Sequence, residues 1–303
     1  MAQAPSEIVY IGDRFKFIDF TSRWAPAPFH RLITFQDGAV GDGVQGMPDG
    51  FDGDAGQSTY SDEVLYKGRQ VCKCFLPQGS VGQLSFGGAV TSGVRVERGQ
   101  TVWIRSIIYL PSSFDLNESM AGGGAMKYMR QKVTNDSYSV GHADLYIPAP
   151  DLGLPGPFKL VMEAHTSQSQ GHATHNSNIN VGNLDDYQLP RDEFVEVQYA
   201  VTHDIGHYEE SRCVARVWVG DTLLAEKRDF HTMIGDTDYC DVIRLFGYFN
   251  ANYNPPNSPD YDPNGGEHGV TKDMHCYCAE FECTTVEPTY TDAFGNPKLP
   301  TRL

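Results

Sequence analysis

The chain has 303 residues, a formal net charge of −16, 40% hydrophobic and 20% charged residues, a composition that is globular rather than disordered. So acidic a chain repels nucleic acid and anionic membranes at long range, and neither is expected as a partner. No run of about 18 apolar residues is present, so no membrane insertion is expected, and Met1–Glu7 lacks the basic and apolar regions of a signal peptide.

The 31 glycines and 18 prolines are spread along the chain, as many short strands joined by tight turns require. In chain order, the long polar segment 36–60 carries Asp49-Gly50-Phe51-Asp52-Gly53-Asp54. Asp49, Asp52 and Asp54 are hard oxygen ligands of the kind calcium prefers, without the EF-hand spacing or its closing Glu. A structural calcium or a solvated loop both fit, and no cofactor is required. The apolar run 101–110, closed by Pro111, reads as a strand. Residues 115–132 are the best helix candidate, yet glycines 122–124 interrupt them. Strands follow at 158–165 and at 194–202, where Phe194, Val195, Val197, Tyr199 and Val201 surround Glu196 and Gln198. Residues 212–219, the turn signal Gly220-Asp221 and Leu223–Glu226 predict a hairpin. Strands at 242–249 and 275–286 complete the pattern, with polar loops at 166–190 and 250–272. Nothing marks a domain boundary, so one domain is expected over 1–287, and Pro288, Pro297 and Pro300 predict an extended tail over 288–303.

Seven cysteines cannot all pair within one chain. Cys72 and Cys74, and again Cys276 and Cys278, form Cys-x-Cys pairs whose side chains share a strand face. Buried thiols are the expected state, with a metal-binding thiolate pair as the alternative reading. Gly171-His172-Ala173-Thr174-His175 adds two histidines to a polar loop.

The order of several segments is familiar. Val102-Trp103-Ile104-Arg105, then Tyr109-Leu110-Pro111 and Phe114, resembles the strand-and-proline signature of jelly-roll polysaccharide lyases. Met126-Lys127-Tyr128-Met129-Arg130 is similar to their Lys-aromatic-x-Arg stretch, and Arg216-Val217-Trp218-Val219-Gly220-Asp221 to the Trp-x-Asp-Gly hairpin of lyases and laminin-G-like modules. Asp292–Pro297 resembles tails in lyase-like proteins of marine bacteria and phages. The resemblance spans roughly residues 95–297. It implies an all-β fold, a single concanavalin-A-like β-sandwich (jelly roll) of two antiparallel sheets with long loops, facing a polysaccharide or glycan.

A β-eliminating lyase neutralises a uronate carboxylate, removes the C5 proton and protonates the leaving oxygen. The alginate-lyase-like resemblance implies Arg105 as carboxylate partner, Glu163-Ala164-His165 in place of Gln-x-His, and Tyr248–Tyr253 in place of Tyr-Phe-Lys-x-Gly-x-Tyr, with Asn250 for Lys and Asn252 for Gly. Arg105, His165, Tyr248 and Tyr253 are then the catalytic set. Lys127, Arg130, Glu163, His172, His175, Asn250 and Asn252 are the carbohydrate-binding set. Glu163 repels a uronate where Gln would donate a hydrogen bond, and Asn250 lacks the charge of Lys. These departures, with the absent export signal and the acidity, favour a non-catalytic jelly roll on a virion surface or outside the cell, packed against capsid or tail proteins or into a homo-oligomer. A β-eliminating lyase is the alternative. A glycoside hydrolase needs two facing carboxylates, and no Glu-x-Asp-x-x-Glu pattern supplies them.

Overall fold

The computed structural model describes residues 10–11, 14–15, 28–44, 51–53, 57–80, 83–116, 126–135, 139–147, 161–166, 177–179, 189–204, 213–233, 235, 237–250 and 270–303. Their strands are β1 (Tyr10–Ile11), β2 (Arg14–Phe15), β3 (His30–Ile33), β4 (Phe51–Gly53), β5 (Ser58–Tyr66), β6 (Arg69–Leu76), β7 (Gln83–Leu84), β8 (Gly88–Val90) and β9 (Thr101–Tyr109). They continue with β10 (Met126–Thr134), β11 (Ser139–Ile147), β12 (Val161–Thr166), β13 (Ser177–Ile179), β14 (Phe194–Thr202), β15 (Val214–Val219), β16 (Thr222–Arg228), β17 (Tyr239–Asn250) and β18 (Met274–Thr284). Beyond the β1–β2 pair, two eight-stranded sheets form. The front sheet runs β13-β12-β11-β10-β17-β8-β4 with β7 also on β17, and the back sheet runs β16-β15-β14-β9-β18-β6-β5 with β3 also on β18. Every pairing among these described strands is antiparallel, as β10 with β11 and β17, and β9 with β14 and β18.

The predicted strand at 194–202 is present with those ends, and those at 101–110, 212–219, 242–249 and 275–286 are present with shifted ends. The stretch proposed as the best helix is different: residues 126–134 are strand β10. Its apolar side chains repeat every second residue except at one bulge, and that bulge hides the period. Within the loop expected at 36–60, β4 and the start of β5 pair with β8 and β6.

Period-two alternation builds three apolar layers from β9. Val102, Ile104 and Ile108 join the main core between the sheets. Ile107 and Trp103, on the other face, join two smaller clusters, one with Tyr66, Val71 and Tyr277, the other with Ala200, Trp218 and Leu299. Between the sheets, Phe246 stacks on Phe86 and Tyr128 with centroids 5.3 and 5.5 Å apart. The buried Tyr128 hydroxyl is satisfied by Ser106 of the opposite sheet, which spares an unpaired polar group in the core.

The outer face of the back sheet is covered by the C-terminal tail, which acts as a strap. Trp218 Nε1 donates to Asp292 at 2.8 Å and Trp103 Nε1 to the Pro297 carbonyl at 3.0 Å. Gln198 clasps Leu299 through both its amide atoms, at 2.9 and 3.0 Å. Lys298 is buried with its ammonium on the Gly220 carbonyl, Asp221 and Thr301, and Arg302 N donates to Glu196 at 2.7 Å. Gly220 has φ +54, as the tight β15–β16 turn demands.

At one end of the sandwich His203 is fully buried, held between Gln131 Oε1 and Thr232 Oγ1, each at 2.9 Å. Burial pulls its pKa down to about 4, partly offset by Asp204. The group is therefore neutral when folded and binds a proton more readily when unfolded. Its contribution to stability is present above pH 6.5 and is lost as pH falls from 6.5 towards 4. Across that window the loss is about 3 kcal/mol at most. Two outcomes are expected. His203→Gln flattens the fall in urea midpoint between pH 6.5 and 4 relative to the wild type. Gln198→Ala, by releasing the Leu299 clasp, lowers stability by about 2 kcal/mol, read from the same denaturation curves.

Candidate functional site

The outer face of the front sheet gathers the ionisable side chains. In β10, Lys127 and Arg130 stand three residues apart, a spacing that puts side chains on opposite faces of a regular strand. A β-bulge reverses this. Lys127 pairs with Tyr146 and Met129 with the next residue, Leu145, so Tyr128 is the extra residue of β10. The same step falls in the β10–β17 ladder, where Lys127 opposes Tyr248 and Met129 opposes Leu245, with Phe246 at φ 48. Tyr128, Met129 and Phe246 all turn into the core, and Lys127, itself buried, and Arg130 lie together on the other side. Such bulges re-aim side chains next to sites.

Register then sets three cross-strand rows. The first is Tyr146–Lys127–Tyr248, the second Glu163–Asp144–Arg130–Arg244, and the third His165–His142–Lys132–Val242. Asp144 is fully buried beneath the second row. Its carboxylate lies 3.5 Å from Lys127 Nζ, 3.5 Å from Arg130 Nε and 3.4 Å from His142 Nε2. Arg130 Nη2 lies 3.0 Å from His142 Nδ1, a contact that makes this nitrogen the acceptor. The Lys127 ammonium sits 4.6 Å from the centre of the Tyr146 ring, within cation–π range. Arg244 donates to Ser85 Oγ at 3.0 Å. Gly247 lies between the two arginines, where a Cβ would make ordinary contact with the Cβ atoms of Arg130 and Arg244 at 3.6 Å.

Of the residues expected from sequence, Lys127 and Arg130 are brought together here, with the backbone positions of Glu163, His165 and Tyr248 in the same rows. Asn250 ends β17, paired with Gln83. Arg105 is elsewhere. It lies on the outer face of the back sheet, fully buried, bonded to Glu282 and to the Pro300 carbonyl at 2.6 Å, with Glu280 at 3.6 Å. Burial pulls its pKa down, and Glu282 opposes that shift. Arg105 is therefore a structural ion under the strap, not a substrate ligand. Asp52 is exposed, accepts a hydrogen bond from Thr91 at 3.3 Å, and stands at the far end of the second row through Ala89. Asp49, Asp54, His172, His175, Asn252 and Tyr253 lie outside the described residues. Among the described residues no three His, Cys, Asp or Glu side chains are grouped to hold a metal.

His142, Asp144, Tyr146 and Arg244 were not singled out from the sequence. The signal for the first three was available: His142-x-Asp144-x-Tyr146 places three polar groups on one face of a strand of alternating character.

No protein-family model matches the chain, and no curated protein does. Solved structures do match. Alginate lyase Aly36B superimposes with a TM-score of 0.55 at 10% identity, over 84% of this chain and 96% of that one. A mutant of the same enzyme in complex with alginate trisaccharide gives 0.55 at 11% identity, over 84% and 98%. The endo-β-1,4-glucuronan lyase of the fungus Trichoderma reesei gives 0.50 at 12%, over 81% and 95%. The identities are too low to carry residue roles across, but the coverage is nearly complete, and the chain has the concanavalin-A-like jelly-roll fold of these alginate and glucuronan lyases.

Proposed function

We propose that the chain is a β-eliminating lyase of a uronate-containing polysaccharide, with the outer face of the front sheet as its cleft. The observation that carries this reading is the pairing of two rows: tyrosine, lysine and tyrosine across β11, β10 and β17, beside Arg130 and Arg244. The fold shared with two lyases of uronate polymers supports it. This reading replaces the non-catalytic role favoured from sequence, which rested on Asn250 and Glu163 standing where the lyase motifs differ, together with the acidity, the long loops and the absence of an export signal. The cation that the motif lacks at position 250 is supplied from β10 instead, by Lys127.

The chemistry follows from charge placement. Arg130 and Arg244 neutralise the uronate carboxylate, which lets negative charge build on it as the C5 proton leaves. Lys127 and Tyr146 are in contact and face the same space, so one accepts the C5 proton and the other donates to the glycosidic oxygen at C4. The C5–H electron pair becomes the C4–C5 double bond as the C4–O bond breaks. The proton lost at C5 is matched by the one gained by the leaving group. Asp144 holds Lys127, Arg130 and His142 in position from below.

Absorbance near 235 nm, where unsaturated uronates absorb, tests the reading on alginate, glucuronan, pectate and glycosaminoglycans. A rise on one of these is the expected result. A flat trace on all, from folded protein that still retards one polymer in affinity electrophoresis, returns the chain to a glycan-binding role. With an active substrate in hand, Lys127→Ala and Tyr146→Phe each lower kcat by about 10²-fold or more. Asp144→Asn lowers kcat by about 10-fold and raises KM, because Lys127, Arg130 and His142 lose their common anchor. Arg105→Lys, on the other sheet, leaves kcat and KM within about two-fold and lowers thermal stability instead.

A further inference from the structure

The two Cys-x-Cys pairs take no part in the proposed site, and the fold sets them side by side. Strands β6 and β18 are neighbours in the back sheet, and their register opposes Cys74 to Cys276 and Cys72 to Cys278. All four side chains are fully buried and belong to the core between the sheets. They form a two-by-two patch of thiols on one sheet face. Cys72 and Cys74 have their sulfurs 3.8 Å apart, and the Cys74 thiol is also within hydrogen-bonding reach of Cys276. Cys213 immediately precedes β15, Cys240 lies on β17 and Cys283 lies further along β18.

We propose that this patch is a redox-closed seam, in which Cys74 bonds to Cys276 and Cys72 to Cys278 when the chain folds in the presence of a small-molecule disulfide. Directly opposed residues in an antiparallel ladder have Cα atoms about 4.5 or 5.5 Å apart, inside the roughly 4.4–6.8 Å range that a disulfide spans. Pairing along one strand is disfavoured, because residues i and i+2 of an extended chain are about 6.5–7 Å apart. Each bridge forms by two exchanges. A protein thiolate attacks the small disulfide and expels one thiol. The opposed protein thiolate then displaces the second, so two protein thiols are oxidised and one small disulfide is reduced to two thiols.

The timing follows from burial. In the folded sandwich desolvation holds the thiols of Cys74, Cys276 and Cys278 above their ordinary pKa, and no oxidant reaches the core. The exchange therefore belongs to folding, while β6 and β18 are coming together, and the finished bridges resist reduction until the sandwich opens. Each bridge closes a loop of about 200 residues, which limits the unfolded chain most strongly where loops are long.

The test is refolding of the full chain from denaturant and reductant into a buffer of reduced and oxidised glutathione, followed by denaturation and alkylation without reductant. The sequence makes the linkages separable: trypsin cuts after Lys73 and chymotrypsin after Tyr277, between the cysteines of each pair. Expected are three alkyl groups on the seven cysteines, a mass four hydrogens below that of the reduced chain once those groups are subtracted, and two linked peptide pairs, Cys72 with Cys278 and Cys74 with Cys276. Reductant added to the folded protein leaves the mass unchanged for hours, and reductant present during thermal unfolding lowers Tm by several degrees. The double variant Cys74→Ala/Cys276→Ala keeps the remaining bridge and loses only two hydrogens. Full alkylation of all four cysteines after refolding overturns the proposal, as does pairing of Cys72 with Cys74 or of Cys276 with Cys278.

Discussion

One extra residue in β10 decides what this sandwich presents to solvent. A regular strand through Met126–Thr134 places Lys127 on one face and Arg130 on the other, so one of the two cations would have to enter the core. The bulge at Tyr128 lets both point outward, while Tyr128 itself fills the interior and bonds Ser106 of the opposite sheet. The matching irregularity in β17, with Phe246 at a positive φ, keeps the two ladders in step and brings Tyr248 opposite Lys127. Strain at Phe246 is held by stacking on Phe86 and Tyr128, so core packing and the geometry of the outer face are a single arrangement. The constraint is local in sequence and long-range in effect, because every row of the candidate site is counted from it.

The back sheet meets the opposite requirement. It carries a row of charge, with Arg105, Glu196, Glu280 and Glu282 all buried, on a face that would be solvated in a simple sandwich. The strap changes the environment of this row. Its backbone supplies the Pro300 carbonyl to Arg105 and the Arg302 amide to Glu196, and the Arg302 guanidinium lies 3.6 Å from Glu280. Buried ions need such partners to offset their lost hydration. The strap therefore does more than cover apolar surface, since the ion cluster beneath it is complete only with the last residues in position.

This explains how much of the molecule was legible beforehand. Strands such as β9, β14 and β15 could be read because alternation or an apolar run survives in them intact. Arg105 was misjudged for the same reason that β9 was easy: it alternates like any outward residue, and nothing local says that residues 299–302 will cover it. Lys127 and Arg130 could be named as a basic pair, but their common face depends on a bulge, which a period-two reading excludes. That bulge, together with glycines 122–124, also made β10 resemble a broken helix. Arg244 gave no motif signal of its own, and Asp144 only the polar alternation it shares with His142 and Tyr146. Each acquires its meaning from a cross-strand partner, and register is a tertiary property.

The charge of the candidate face can be argued against that of the whole chain. A net charge of −16 opposes the approach of a polyuronate, yet Lys127, Lys132, Arg130 and Arg244 occupy neighbouring positions on one sheet face. At separations of a few ångströms in a medium less polar than water, four such cations repel one another by several kcal/mol. A buried carboxylate among them lowers that cost, and Asp144, 3.5 Å from both Lys127 and Arg130, stands where it serves two at once. Its single charge leaves the face positive. Under the proposed function, that positive charge meets the carboxylates of the polymer. Under the same reading, the polymer crosses the sheet over β10 and β17, where Tyr248, Lys127 and Tyr146 share a register row.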